Sequence, residues 1–384
     1  MRACRDAFDL ASSLSWASRD PFDLLLMPLG ESVRRVSHLG ARALVQLGRR
    51  SGPRLSRYVH VARHEEAKAT ADFLAAAAVL AESPSLEAQW AKELVPELVE
   101  RLERLAIPTQ HGHGWGLGFP YASRFVSVPA NTPNAYTTVA AIDALADAAT
   151  LMGDNGPLAL ARSGASFIAN DLGTVAGASC SWYRYWPGDD TCIVNLQALT
   201  AAAFRRLAVS AGGDEGLSAG AEDAAAAAAA AQWADGSFPY ALDSRGRFVD
   251  SFHTGFVLEG LSRFARLGGT IPSGSVDRAV ERGMSFFRVR LLDEHGLPLA
   301  SPGGARVDDG QNLAQLIQTL LECGSATDRP HARAIWRYWS ARVGGVTLRG
   351  DAASDVSLRW ELAPMVLALA KLGAALVDDR PEQA

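Results

Sequence analysis

The sequence predicts an all-α protein, an (α/α)6 toroid of six helical hairpins in a single domain. Three observations carry this reading. Six apolar helical segments each open on a polar or Gly/Pro-rich stretch, and the openings recur roughly every 50 to 65 residues, a spacing that suits two helices plus loops. Amphipathic, more charged helices alternate with them. Alternating strand-like patterns are brief, as over Arg245 to Asp250, so an α/β assignment fails on pattern.

The first apolar segment runs from Glu65 through Ala67, Thr70, Phe73 and Leu74. The second opens at Pro133-Asn134 and continues through Tyr136, Val139, Ile142 and Leu145. The third opens at Asn195 and continues Leu196, Leu199, Phe204; the fourth opens at His253 and continues Phe256, Leu258, Leu261, Phe264. The fifth opens at Asp309-Gly310-Gln311 before Leu313, Leu316 and Leu320, and the sixth at Arg359-Trp360 before Leu362, Met365 and Leu369. Between them lie Leu86 to Leu105, Leu158 to Asp171, Ala219 to Trp233, Val276 to Val289 and Ala332 to Val343, whose charged faces read as solvent-facing. The Ala224 to Ala231 run reads as a thin outer helix rather than a linker, because alanine is the best helix former. Six inner and about six outer helices in strict alternation close into a ring. The resulting organisation is an N-terminal helical extension over 1–63, the toroid over 64–376 and a flexible tail over 377–384. Within the extension, Phe22 to Leu47 reads as an outer helix with a loop.

Composition narrows the function classes. The chain has 384 residues, 48% hydrophobic and 21% charged, with a net charge of −5. That balance excludes nucleic-acid binding through a broad basic face. No run of about 18 uncharged apolar residues is seen, so no membrane span is expected. Met1 to Asp9 lacks an apolar core, so no secretory signal is read. Cys4, Cys180, Cys192 and Cys323 form no CxxC pair, which fits reduced thiols and a cytoplasmic location. His111 and His113 alternate in a glycine-rich loop, but no metal-ligand spacing completes them, and no GxGxxG or P-loop motif occurs; no metal or cofactor is expected.

In such a ring all inner helices run the same way, so their N-termini share one face. Each N-terminus carries unpaired N–H groups and partial positive charge, and a funnel of them suits an anionic or hydroxyl-rich ligand. Aromatic, glycine-rich loops fall at the same face: His111 to Arg124 with Trp115, Ser181 to Asp190 with Tyr185 and Trp186, Gln232 to Tyr240, and Arg247 to His253. Aromatic planes beside amides, carboxylates and arginines are what sugar-binding clefts use; stapling of long loops is the competing explanation.

At these loops the chain resembles the VpsJ-like bacterial polysaccharide-biosynthesis proteins of the prenyltransferase and squalene-cyclase-like toroid superfamily, over roughly Trp115 to Leu372. The residues that carry the resemblance are Trp115-Gly116 with Ser123-Arg124, Thr132-Pro133-Asn134, Tyr185, Pro187, Asp189 and Asn195, Asp250-Ser251-Phe252-His253-Thr254-Gly255, and Arg359-Trp360. The chain departs from the pattern at Gln311, where the family has histidine, and at Cys192 and Val194. The resemblance implies carbohydrate-polymer biosynthesis or modification, with a sugar or polysaccharide as substrate and a polysaccharide-synthesis complex as partner. It implies no particular reaction.

The residues themselves supply the candidates. Asp250 suits an N-cap, which leaves His253 to point from the first turn into the pocket as a general base or a hydroxyl ligand. Asp189 and Asp309 are candidates for a pair of carboxylates across the pocket, with turn and cap chemistry as the competing role. Trp115, Arg124, Asn134, Tyr185, Trp186, Asn195, Tyr240, Gln311, Arg359 and Trp360 are the candidate binding residues. Among them Arg359 suits a carboxylate such as that of a uronic acid. Three functions remain open: a uronic-acid epimerase, lyase or hydrolase acting on a sugar chain; a terpenoid cyclase, against which the lack of an Asp-x-Asp-Asp acid around Asp189-Asp190 counts; and a non-catalytic glycan-binding scaffold.

Overall fold

The computed structural model describes residues 2–20, 22–51, 58–83, 88–177, 180–271, 276–343 and 356–378. Its helices, in chain order, are α1 (Arg2–Ser13), α2 (Pro28–Val36), α3 (His38–Ser51), α4 (Ala67–Ala81), α5 (Ala88–Arg104), α6 (Ala135–Met152) and α7 (Asn155–Ser166). They continue with α8 (Val194–Ser210), α9 (Glu215–Ala230), α10 (Ser251–Arg266), α11 (Val276–Arg290), α12 (Gly310–Cys323), α13 (Arg329–Val343) and α14 (Ala363–Asp378). Helices α4, α6, α8, α10, α12 and α14 each pack on the next, and α14 packs back on α4. The inner ring is therefore closed. The chain is a mostly helical, single-domain α/α toroid.

Two sequence properties make these six helices the inner ones. They are apolar nearly all round, which suits helices flanked by two inner neighbours and one outer helix. They are also rich in small residues, which lets backbones approach. Gly260 of α10 shows how closely: a Cβ there would lie 2.5 Å from the Ala198 carbonyl group of α8. Outer helices α5, α7, α9, α11 and α13 each pack on the inner helix before them. The alanine run sits in α9, with Ala221, Ala224, Ala225 and Ala228 fully buried against α8. Its small side chains make the thin outer helix that the composition predicts.

The sixth outer position is filled from the N-terminus, not from Phe22 to Leu47 as expected. Helix α1 packs beside α14, and Phe8 meets Phe73 of α4 and Trp90 of α5 edge-on, both at 5.2 Å. The apolar residues Cys4, Ala7, Phe8 and Ala11 form the buried stripe at helical spacing. Burying Phe8 contributes about 1.5–3 kcal/mol. Phe22 to Leu47 instead folds into a short 3₁₀ turn (Asp23–Leu25) followed by α2 and α3. This segment lies over the N-terminal face, where Phe22, Leu25, Ala41 and Val45 share a small core with Leu117, Phe119 and Trp186. The expected break at residue 377 falls inside α14, which reaches Asp378; residues 379–384 lie outside the described set.

The segment Leu358–Val377 is long and apolar enough to cross a membrane on composition. The sequence reading did not single it out. Here it is the last inner helix of the ring, packed between α4 and α12.

Candidate functional site

A cavity of about 260 Å³ opens among the N-termini of the inner helices. Local capping aims the helix starts at it. Asn134 Oδ1 accepts from the Thr137 backbone N–H at 2.9 Å, Asp250 Oδ1 from that of His253 at 2.7 Å, and Asp309 Oδ1 from that of Asn312 at 3.1 Å. Each cap satisfies an end group that the helix cannot satisfy itself.

Eight of the fourteen candidates stand on the cavity wall: Tyr185, Trp186, Asn195, Tyr240, His253, Gln311, Arg359 and Trp360. They come from four different hairpins, so residues far apart in sequence do meet in one place. The other six do not line it. Trp115 is fully buried, and its indole N–H donates to the Leu102 carbonyl at 2.8 Å, which staples its loop to α5. Arg124 reaches across to the Arg245 carbonyl and lies 5.0 Å from the Phe248 ring centroid. Asn134 and Asp309 act as caps, the first buried and the second exposed. Asp189 closes its turn by accepting from the Thr191 N–H at 3.1 Å. Asp250 stands behind His253. The anticipated carboxylate pair across the pocket therefore does not form, because turn and cap geometry claim both members. His111 and His113 are engaged elsewhere, with Asp171 at 2.6 Å and Ser163 at 2.8 Å.

The Asp250–His253 arrangement has a definite chemical sense. Asp250 Oδ2 lies 2.7 Å from His253 Nδ1. A carboxylate only accepts, so Nδ1 carries the hydrogen and Nε2 is left as the free acceptor. Burial alone would raise the Asp250 pKa, but the His253 side chain and two backbone N–H groups outweigh it and hold the carboxyl below its usual range. Tyr240 packs edge-on against the His253 ring at 4.5 Å and fixes its plane.

Arg359 is the second unusual group. It is only 8% exposed, yet its Nε and Nη1 are buried without a hydrogen-bond partner among the described residues. Its guanidinium lies over the Trp360 ring at 4.1 Å and near Phe119 at 5.5 Å. A buried cation with free N–H groups on a cavity wall is costly unless a ligand anion completes it.

The remaining wall is phenolic and aromatic. Burial raises the pKa values of Tyr121, Tyr136, Tyr185 and Tyr240, so these four act as neutral donors and acceptors. Tyr136 stacks on Tyr185 and Tyr121 on Trp186. At the floor, Lys68 Nζ donates to both Asp72 oxygens, at 2.5 and 2.6 Å. Burial favours a neutral lysine, but Asp72 outweighs it and keeps Lys68 charged. The sequence reading missed Lys68, Asp72, Tyr136, Gln315 and Gln318. Their signal was legible: charged or polar residues within the most apolar helices. It also missed Phe22 and Arg49, which reach the wall from the N-terminal segment.

Behind Arg359 lies an acidic support. The Trp360 indole N–H donates to Asp20, whose carboxyl burial pushes up to about 7, with the Arg359 charge opposing. Burial also raises Asp23 to about 6. His64 Nε2 lies 3.0 Å from Glu66. Burial disfavours the imidazolium, but Glu66 and Asp23 reverse this and raise its pKa to about 9. Cys192 is buried, which pushes its thiol up to about 12 and disfavours a thiolate nucleophile.

A second cavity, about 290 Å³, lies at the helix C-termini, and Lys68, Asp72, Tyr136, Phe256 and Gln318 line both. These five residues form a waist within the ring.

No family model matches the chain, and no curated protein does. Solved structures do. A family 76 glycoside hydrolase (mannosidase) from Bacteroides thetaiotaomicron superposes with a TM-score of 0.59 at 12% identity, covering 82% of this chain and 87% of that one. A sugar epimerase from a ruminal bacterium gives 0.58 at 12% identity, over 84% and 91%. The unsaturated glucuronyl hydrolase of Bacillus sp. GL1, responsible for glycosaminoglycan degradation, gives 0.54 at 13% identity, over 83% and 88%. At such low identity the likeness establishes the architecture alone, and what this chain shares with all three is the α/α toroid.

Proposed function

We propose that this protein is a cytoplasmic enzyme of polysaccharide biosynthesis or modification that abstracts a proton α to the carboxylate of a uronic-acid residue. The observation that carries the reading is Arg359: a buried guanidinium with two unpartnered nitrogen atoms on a wall that also holds His253. The sugar-acting solved structures of the same fold, and the resemblance to VpsJ-like proteins, support the carbohydrate class.

The chemistry follows from the groups present. Arg359 receives the uronate carboxylate, in the forked geometry that guanidinium offers. Trp186 and the tyrosines take the sugar faces and hydroxyls. His253 Nε2 removes the C5 proton, and the imidazolium formed is stabilised by Asp250. The electron pair left at C5 delocalises into the carboxylate, where the Arg359 charge opposes its negative growth. The intermediate then either takes a proton on the opposite face from a neutral wall tyrosine, which is epimerisation, or expels the C4 oxygen, which takes the proton held by His253, which is elimination. In epimerisation solvent reprotonates the tyrosine and His253 returns its proton to solvent. Both share the first step. Two-carboxylate hydrolysis is less well served, since the one carboxylate identified on the wall, Asp72, is tied to Lys68. A polyprenyl substrate is poorly matched by a wall that carries Arg359, Lys68, His253 and three glutamines.

The test is incubation in deuterium oxide with polyglucuronate, polygalacturonate, polymannuronate and neutral glucan. The reading expects deuterium at C5 or an unsaturated uronate from an acidic polymer and neither from glucan. Neither product from any acidic polymer, with binding retained, would leave the glycan-binding scaffold as the correct reading.

A further inference from the structure

We propose that the α2–α3 hairpin is a docking surface for an anionic lipid bilayer, one that sets the mouth of the cavity against the membrane. The observation is independent of the reaction assigned above.

The hairpin has two faces of different character. The inward face, with Ala41, Val45 and Gly48 buried, packs on the loops at the cavity mouth. The outward face exposes Leu29 (73%), Val36 (86%), Leu39 (74%) and Leu47 (50%). These are four of the ten large hydrophobic residues so exposed among the described residues, gathered in one short segment. On α3 the spacing of Leu39, Ala43 and Leu47 is a helical stripe, exposed among the described residues.

Charge says what covers it. Pro28 to Ser51 contains five arginines (Arg34, Arg35, Arg42, Arg49 and Arg50) against one acid, Glu31, in a chain whose net charge is −5. Glu31 is already held by Arg34 at 2.7 Å and Arg35 at 3.0 Å. Arg42 and Arg50 are exposed beside the apolar stripe. The combination of an apolar stripe and flanking arginines matches an interfacial helix: leucines enter the boundary of the acyl chains while guanidinium groups reach anionic headgroups. An acidic polysaccharide would satisfy the arginines and leave the leucines in water. Arg49 belongs both to the hairpin and to the cavity wall, and Phe22, just before the hairpin, lines the same wall, so docking places the mouth at the lipid surface.

The test uses the full-length protein and vesicles of phosphatidylcholine alone or mixed 3:1 with phosphatidylglycerol. Sedimentation should show binding to the mixed vesicles, little to the neutral ones, and release at high salt. The triple variant Arg35→Gln/Arg42→Gln/Arg50→Gln should lose on the order of 100-fold in partitioning, about fivefold per arginine. These side chains are exposed, so its melting temperature should match the parent and report that it folds. As an independent reading, Leu39→Trp should be quenched by brominated phosphatidylglycerol vesicles and Val289→Trp, exposed on α11, should not. Equal binding to both vesicle types, parental binding by the triple variant, or capture by an acidic protein or polysaccharide matrix without vesicle binding would each overturn the proposal.

Discussion

The two ends of the ring are built from the same helices but hold their charges in opposite ways. At the C-terminal end, Asp143 pairs with Arg263 at 2.8 Å, Glu259 with Lys371 at 3.0 Å, Glu322 with Arg266 at 3.1 Å, and Asp147 with Arg206. Gln315 and Gln318 add hydrogen bonds to Glu259 and Lys371. At the N-terminal end, among the described residues, Arg359 keeps nitrogens without a hydrogen-bond partner, His253 keeps an unengaged Nε2, and Asn195 Oδ1 is buried without a partner. Ion pairing holds neighbouring inner helices together at the C-terminal end, although Asp143 Oδ1 and Arg206 Nε are themselves buried without a hydrogen-bond partner among the described residues. A buried cation with no ion-pair partner is tolerated where a ligand completes it. The difference separates structural charge from candidate functional charge in one molecule.

That contrast can be broken by mutation, and the largest effect belongs to His253. If it is the base, His253→Ala should lower kcat/KM on the acidic polymer about 1000-fold, with an unchanged melting temperature. Loss of folding instead would assign His253 to the structural set. Next come two paired arginine substitutions. Arg263→Met leaves the half-buried Asp143 uncompensated and should cost about 2–4 kcal/mol in denaturant unfolding. Arg359→Met removes a cation without a hydrogen-bonded partner and should change stability by less than about 1 kcal/mol while weakening uronate binding about 100-fold. Equal destabilisation by both would erase the distinction between the two ends.

A smaller effect comes from pH. His64 is raised to about 9 in the folded protein, so the folded state binds more protons than the unfolded one between about pH 6.5 and 9. Its stabilisation is complete below that window and is lost as pH rises through it, on the order of 3 kcal/mol. Asp20, raised to about 7, adds a slope of the same sign between its ordinary value and neutrality. His64→Gln should flatten the upper part of the curve in melts from pH 6 to 9. The smallest effect is Trp115→Phe. It should cost about 1 kcal/mol through the lost bond to Leu102 and leave uronate affinity unchanged, since the indole does not reach the cavity.

The ring was legible because its signal is periodic. Apolar helices such as α6 and α10 carry both their 3.6-residue pattern and their caps, Asn134 and Asp250, in local sequence. The N-terminal segment was not, because α1 closes the ring by contacts with α14 and α5 that no local pattern encodes. Its stripe of Cys4, Ala7, Phe8 and Ala11 would have revealed a helix but not its place. From the Ser181 to Asp190 and Arg247 to His253 loops, Tyr185, Trp186 and His253 meet at one cavity. Trp115 looked the same in sequence, yet its ring turns inward to Leu102; an aromatic in a glycine-rich loop does not announce which way it points. Lys68 and Asp72 went unread although their i, i+4 spacing inside an apolar helix marks a buried pair.

The most direct measurement is a crystal structure with a bound uronate oligosaccharide. The account predicts a carboxylate hydrogen-bonded to the Arg359 guanidinium, forked through Nη2 with either Nε or Nη1, and the C5 hydrogen of the same residue facing His253 Nε2. A sugar seated at the C-terminal end beyond the waist, or one in the N-terminal cavity with its carboxylate turned away from Arg359, would contradict it.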